Sequence, residues 1–157
     1  MLKSPKTEIQ SDSLNNIARF AAEQAAKKHG RTVVVEDSGL FVKRLGGFPG
    51  PFSSYVHATV GFEGLLRLLS HENRREAYFQ ASLAVASARG FVQSFSAKVY
   101  GTISRKALGR NGFGFDPVFV PRGTKTTFAQ GGVEFKQRFS HRAKVFKKLA
   151  RWYVNQA

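Results

Sequence analysis

The sequence contains no cysteine, one methionine, one tryptophan and only ten acidic residues among 157. Without a thiol there can be no disulfide, no zinc–thiolate centre and no cysteine nucleophile, so any metal must be held by oxygen or imidazole. No apolar run is long enough to span a bilayer, and the start shows no basic-then-apolar segment ending in a small-residue cleavage site. A soluble, cytoplasmic chain with no membrane partner is expected. Against the ten acids stand 25 Lys and Arg, a formal charge of +15. That field draws polyanions, nucleotides and nucleic acid alike, and it equally describes a solvated basic surface without a specific ligand.

What is present suffices for one core. With 42% hydrophobic residues in 157, the length favours a single domain over residues 1–157. Leu14, Ile17, Ala21 and Ala25 recur at helical spacing from Ser11 to His29, with Ser11 or Asp12 as cap and Gly30 as stop. Thr32 to Val35 is a short β-branched run that suits a strand buried on both faces, leaving Glu36 and Asp37 at its C-terminal end, where α/β sheets bind ligands. Gly46 to Ser54 reads as a rigid irregular loop and Phe62 to Ser70 as a helix. Ala77–Ser87 and Phe91–Ile103 form a hairpin around Arg89-Gly90, and Val118 to Val120 is a further strand. Thr124 to Gly132 reads as loop. Ser140 caps a last helix with Val145, Phe146, Leu149 and Tyr153 on one face and Lys144, Lys147, Lys148 and Arg151 on the other.

Three clusters carry candidate chemistry. Glu36 and Asp37 are neighbours on an extended segment, so their side chains leave on opposite faces and only one can point into a given crevice. Asp37, beside Ser38-Gly39, is the better candidate for a hard cation or for activating water; the alternative is that the pair simply ends a strand. In Gly112–Phe119 the glycines permit close backbone approach, Phe113 and Phe115 offer faces for a base, and Asp116 before Pro117 is extended enough to orient a ligand. Alternating Phe residues equally suit a core. At the mouth of the last helix, Lys136, Ser140, His141 and Arg142 add cations to free N–H groups, an arrangement suited to phosphate or to an ordinary capped helix.

In this order, EIQSDSL, VEDSGLFV, GFPGPFSSYV, GFGFDPVFVP, KTTFAQ and SHRAKVF resemble the inosine triphosphate pyrophosphatase family, with archaeal members most similar, from about Glu8 to the last helix. The resemblance implies an α/β fold with a mixed twisted central sheet flanked by helices, and two lobes around a central cleft. It implies Mg²⁺-dependent hydrolysis of ITP, dITP or XTP to the monophosphate and pyrophosphate, usually by a homodimer. Carried over by position, Glu8 and Asp37 match the metal carboxylates, Asp37 also the proton acceptor, and Ser38 a substrate contact. Phe113, Gly114, Phe115 and Asp116 match the element around base and sugar, while Lys136, His141 and Arg142 match base and phosphate contacts. Fixed donors such as the Arg142 guanidinium would pair with the 6-carbonyl of a deaminated purine and be left unpaired by adenine, a mismatch that can cost about 10⁴-fold.

The family's opening strand, its Thr/Ser-x-x-Asn-x-x-Lys loop and the following helix are not found in this sequence. The resemblance therefore implies a domain truncated at its N-terminus: either the start is assigned too late, or the chain exists in this short form, which would leave a sheet with an unpaired position and weak or absent pyrophosphatase turnover. A basic nucleic-acid-binding module that keeps the fold without the reaction is the competing expectation, and a structural dimer partner for a longer relative a third.

Overall fold

The computed structural model describes residues 9–155. Among these residues five strands and five α-helices follow in the order α1 (Leu14–His29), β1 (Val33–Val42), β2 (Pro49–Gly50), α2 (Ser53–Thr59), α3 (Gly61–Leu68), β3 (Glu76–Ala86), β4 (Val92–Ile103), β5 (Phe119–Pro121), α4 (Phe128–Phe139) and α5 (His141–Val154), with a 3-10 turn at Lys43–Leu45 between β1 and β2. The strands form one sheet in the order β2-β1-β3-β4-β5. The α/β class with a helix-flanked central sheet is as expected, while every described pairing is antiparallel instead of mixed.

Three long strands pass through three hydrophobic clusters. Strands β1, β3 and β4 run for 10, 11 and 12 residues, roughly 33–40 Å at 3.3 Å per residue. One half of their length carries Leu40, Val42, Phe79, Val99 and Ile103 into an aromatic-rich core with Phe119 and Phe128. The other half is clad on both faces. Helix α1 lays Ala18, Ala22 and Ala26 on Ala84 and Ala86, and on the opposite face α5 sets Val145 against Ala81, Leu83, Val85 and Ala97. Glu36 to Gly39, at the middle of β1, lies where the two halves meet.

That placement corrects the expectation of a strand ending at Val35. All ten residues of β1 pair with β3, Glu36 opposite Leu83 and Asp37 opposite Ser82, so the acids sit inside the ladder and not at a C-terminal end. Ser38-Gly39 is strand, not turn. A Cβ at Gly39 would collide with the carbonyl oxygen of Gly50, so the missing side chain is what lets β2 and the start of α2 close onto the strand. Ser53 fastens this contact: its Oγ accepts from Leu40 N–H at 2.8 Å and donates to the Gly50 carbonyl at 2.6 Å.

Other boundaries move for local reasons. Helix α1 is capped by Ser13, whose Oγ accepts from Asn16 N–H, in place of Ser11 or Asp12. The segment expected as loop to Gly132 enters α4 at Phe128, because Thr127 and Gln130 form a capping box. Gly132 then breaks the helix at φ 72°, ψ −167°, a conformation essentially restricted to glycine, before the segment that carries Lys136. In α5 the packed stripe is His141, Val145, Leu149 and Trp152, with Trp152 stacked on Phe91 at 5.9 Å; Phe146 and Tyr153 are exposed. Among the described residues no helix is long and apolar enough to cross a membrane.

Candidate active site

A cleft of about 280 Å³ opens where the two halves of the long strands meet, lined by residues of β1, α2, β3, the 113–116 loop, α4 and the mouth of α5. Strand alternation decides what faces it. Glu36 and Ser38 leave β1 on the α5 side, whereas Asp37 leaves on the α1 side with its register partner Ser82. All eight residues expected to bind substrate line the cleft: Ser38, Phe113, Gly114, Phe115, Asp116, Lys136, His141 and Arg142. Asp37 does not. It is half-buried in the strand and its Oδ1 accepts from the Ser38 N–H at 3.0 Å. Glu8, the other expected metal carboxylate, lies outside the described residues.

The 113–116 loop presents one aromatic face and buries the other. Phe113 is 64% exposed, with the Lys136 ammonium 4.1 Å and the Arg142 guanidinium 5.5 Å from its ring centre. Phe115 is buried and meets His57 edge-on at 5.6 Å, so it is a wall of the cleft and not a second open platform. Asp116, 2% exposed, accepts from Phe113 N–H at 2.9 Å and from Lys136 Nζ at 2.5 Å. One carboxylate thus fixes both the platform and the cation above it.

Arg142 is held from β1. Its Nε donates to Glu36 Oε1 at 3.2 Å and its Nη2 to Ser38 Oγ at 2.8 Å. The expected cluster of three cations at the helix mouth is corrected here, because His141 is neutral. It is buried and stacked on Phe79 at 4.9 Å, and burial, then the charges of Arg142 and Lys136, lower its pKa to about 3. Its Nδ1 has no hydrogen-bond partner among the described residues. Lys136 and Arg142 are each neutralised by a carboxylate, so this end of the cleft is charge-balanced and directional, suited to a polar heterocycle more than to a bare phosphate.

Sequence reasoning missed Glu36, which looked like a spectator beside Asp37, and the α2 residues Ser53, Ser54 and His57 that line the cleft. The i,i+4 spacing of Ser53 and His57 in SSYVHAT was the available signal, but seven residues are too few for periodicity to announce a helix.

The model of the Ham1 family matches residues 1–152. The chain belongs to the Ham1 family. Among Ham1 relatives, a dITP/XTP pyrophosphatase of Hyperthermus butylicus is 49% identical over 147 residues, covering 94% of this chain and 77% of that one. A dITP/XTP pyrophosphatase of Pyrobaculum aerophilum is 44% identical over 155 residues, 99% of this chain and 82% of that one. The solved Ham1 protein of Staphylococcus aureus superposes with a TM-score of 0.91 at 29% identity, over 99% of this chain and 83% of that one. Archaeal sequences and a bacterial structure therefore agree on one family.

Proposed function

We propose that this Ham1 chain hydrolyses deaminated purine nucleoside triphosphates, ITP, dITP and XTP, to the monophosphate and pyrophosphate. The observation that carries the reading is the exposed Phe113 ring with Lys136 and Arg142 set over it, each anchored by its own carboxylate. A base lying on that ring gains stacking of about 1–3 kcal/mol and meets fixed donors at its edge. No described residue accepts from Arg142 Nη1, so this nitrogen is available to a 6-carbonyl acceptor and would face a second donor in adenine.

In the reaction a water oxygen bonds to phosphorus, the bridging oxygen between the α and β phosphates leaves with pyrophosphate, and Asp37 accepts the water proton. Asp37 and the cleft lie on opposite faces of β1, so the triphosphate crosses the strand to bring base and phosphates to their sites. Beyond Ser38 in the direction of Val33, β3 is the only strand that pairs with β1 among the described residues.

The donor set suits Mg²⁺. Asp37 offers hard carboxylate oxygen, and Mg²⁺ takes one or two carboxylates and completes its shell with water and phosphate oxygens. Asp37 and Glu8 would hold it, and when bound it would neutralise charge on the phosphates. A homodimer is also proposed: across three strands Phe41 stacks on Tyr78 and Tyr78 meets Tyr100 at a tilt, with Lys98 4.4 Å over Tyr78, and Tyr100 is 43% exposed. Product analysis tests the activity. ITP, dITP and XTP should each yield pyrophosphate and the monophosphate with Mg²⁺ present; release of orthophosphate instead would rule the reading out.

A further inference from the structure

Glu36 is the unassigned member of the two carboxylate–cation pairs that flank Phe113. Asp116 aims Lys136 and, through the Phe113 N–H, fixes the ring. Glu36 stands in the same relation to Arg142, from the far side of the cleft: one residue from Asp37 in sequence, but on the opposite face of β1. We propose that Glu36 is a positioning residue for base selection, acting through Arg142, and that with Ser38 it sets which edge of a purine the site accepts. The inference rests on the proposed activity for its substrates and on the geometry of Glu36 for its residue.

Glu36 acts on Arg142 in two ways, by restricting its rotamers and by balancing its charge. Arg142 is a long side chain at the start of α5, itself partly exposed, and unrestrained it would sample many rotamers at an entropic cost to any ligand that ordered it. Glu36 and Ser38 hold two of its three nitrogens, which leaves the guanidinium plane fixed and Nη1 directed away from β1. Lys136 and Arg142 also share the Phe113 ring as like charges. Removing the Glu36 charge while Asp116 stays would leave one of these cations uncompensated and push Arg142 toward solvent. Glu36 is 19% exposed and Arg142 42%, so the pair is partly sheltered and gives direction more than stability.

The test compares Glu36→Ala and Glu36→Gln with the wild-type chain, using ITP and ATP turnover and, independently of turnover, IMP and AMP binding by calorimetry. For Glu36→Ala the ITP-over-ATP ratio of kcat/KM should fall roughly 10-fold, carried by KM for ITP with kcat little changed, and the IMP-over-AMP preference should fall alongside. In Glu36→Gln the side-chain oxygen can still accept from Nε but the charge is gone, so selectivity should fall between that of Glu36→Ala and wild type. Equal losses on ITP and ATP, a change confined to kcat, or a shifted Mg²⁺ requirement with selectivity intact would overturn the proposal, since each would put Glu36 with the phosphates or the metal. An unchanged thermal midpoint keeps a folding defect from imitating the effect. Should wild-type chain bind IMP over AMP yet release no pyrophosphate, the activity fails while the role of Glu36 is still decided by the binding arm.

Discussion

At the Phe113 end of the cleft, Asp116, Lys136, Glu36, Ser38 and Arg142 are bonded to one another and to the ring, so the geometry that would read a base exists before any base arrives. At the Asp37 end, outside the cleft lining, a half-buried carboxylate projects from the other face of β1 and its Oδ1 accepts from the Ser38 N–H. The first end is preorganised by contacts within the protein; the second is where the proposed reaction would bring phosphate oxygens and a cation to Asp37. Recognition and chemistry are therefore separable here, which is what mutations at each end can establish.

The largest separation is expected from Asp37→Asn, which should lower kcat for ITP by about 10³-fold, within the range for loss of a general base, while IMP binding stays within a factor of two to three of wild type. A comparable loss of IMP binding would erase the distinction between the ends. Next comes Asp116→Ala. It strips the partner from Lys136 and the acceptor from Phe113 N–H in a buried position, and about 3 kcal/mol of stability should go with it, read as a lower denaturation midpoint together with weaker IMP binding. Phe113→Ala is smaller and cleaner. The ring is mostly exposed, so stability should hold while nucleotide affinity drops by about 1–3 kcal/mol in a binding titration.

The smallest effect at neutral pH belongs to His141. Its folded pKa of about 3 lies below the usual 6.5, so between these values the unfolded chain takes up a proton that the folded chain refuses. Its burial therefore costs nothing above about pH 6.5, and stability falls as pH drops from there toward 3. His141→Gln should flatten that acid limb in denaturation curves, whereas a wild-type profile flat from pH 7 to 4 would show that the imidazole is not held neutral.

How much was legible varies with the physics of each segment. Helices α1 and α5, the long hairpin and the Ser140 cap follow from periodicity and turn chemistry, and their boundaries shift by only a few residues. The course of β1 was not legible, because Asp, Ser and Gly are poor strand formers and only ten register partners on β3 and the contact with Gly50 hold them extended. In the site, the residues expected to bind substrate could be named from motifs, and the structure brings them together around one cleft. Their electrical state could not be read. His141 is counted as a cation in a string of letters, and only its stacking on Phe79 reveals it as neutral. The role of Glu36 was hidden for a similar reason: its partner is 106 residues away.

The central claim is that the Phe113 end selects the purine by its 6-position. Its most direct measurement is the ratio of kcat/KM for ITP to that for ATP on the chain Met1–Ala157 with Mg²⁺, a ratio that cancels whatever sets the absolute rate. A preference for ITP of about 10²-fold or more, with pyrophosphate as the product from both, is the predicted result. Equal values for the two triphosphates would contradict it.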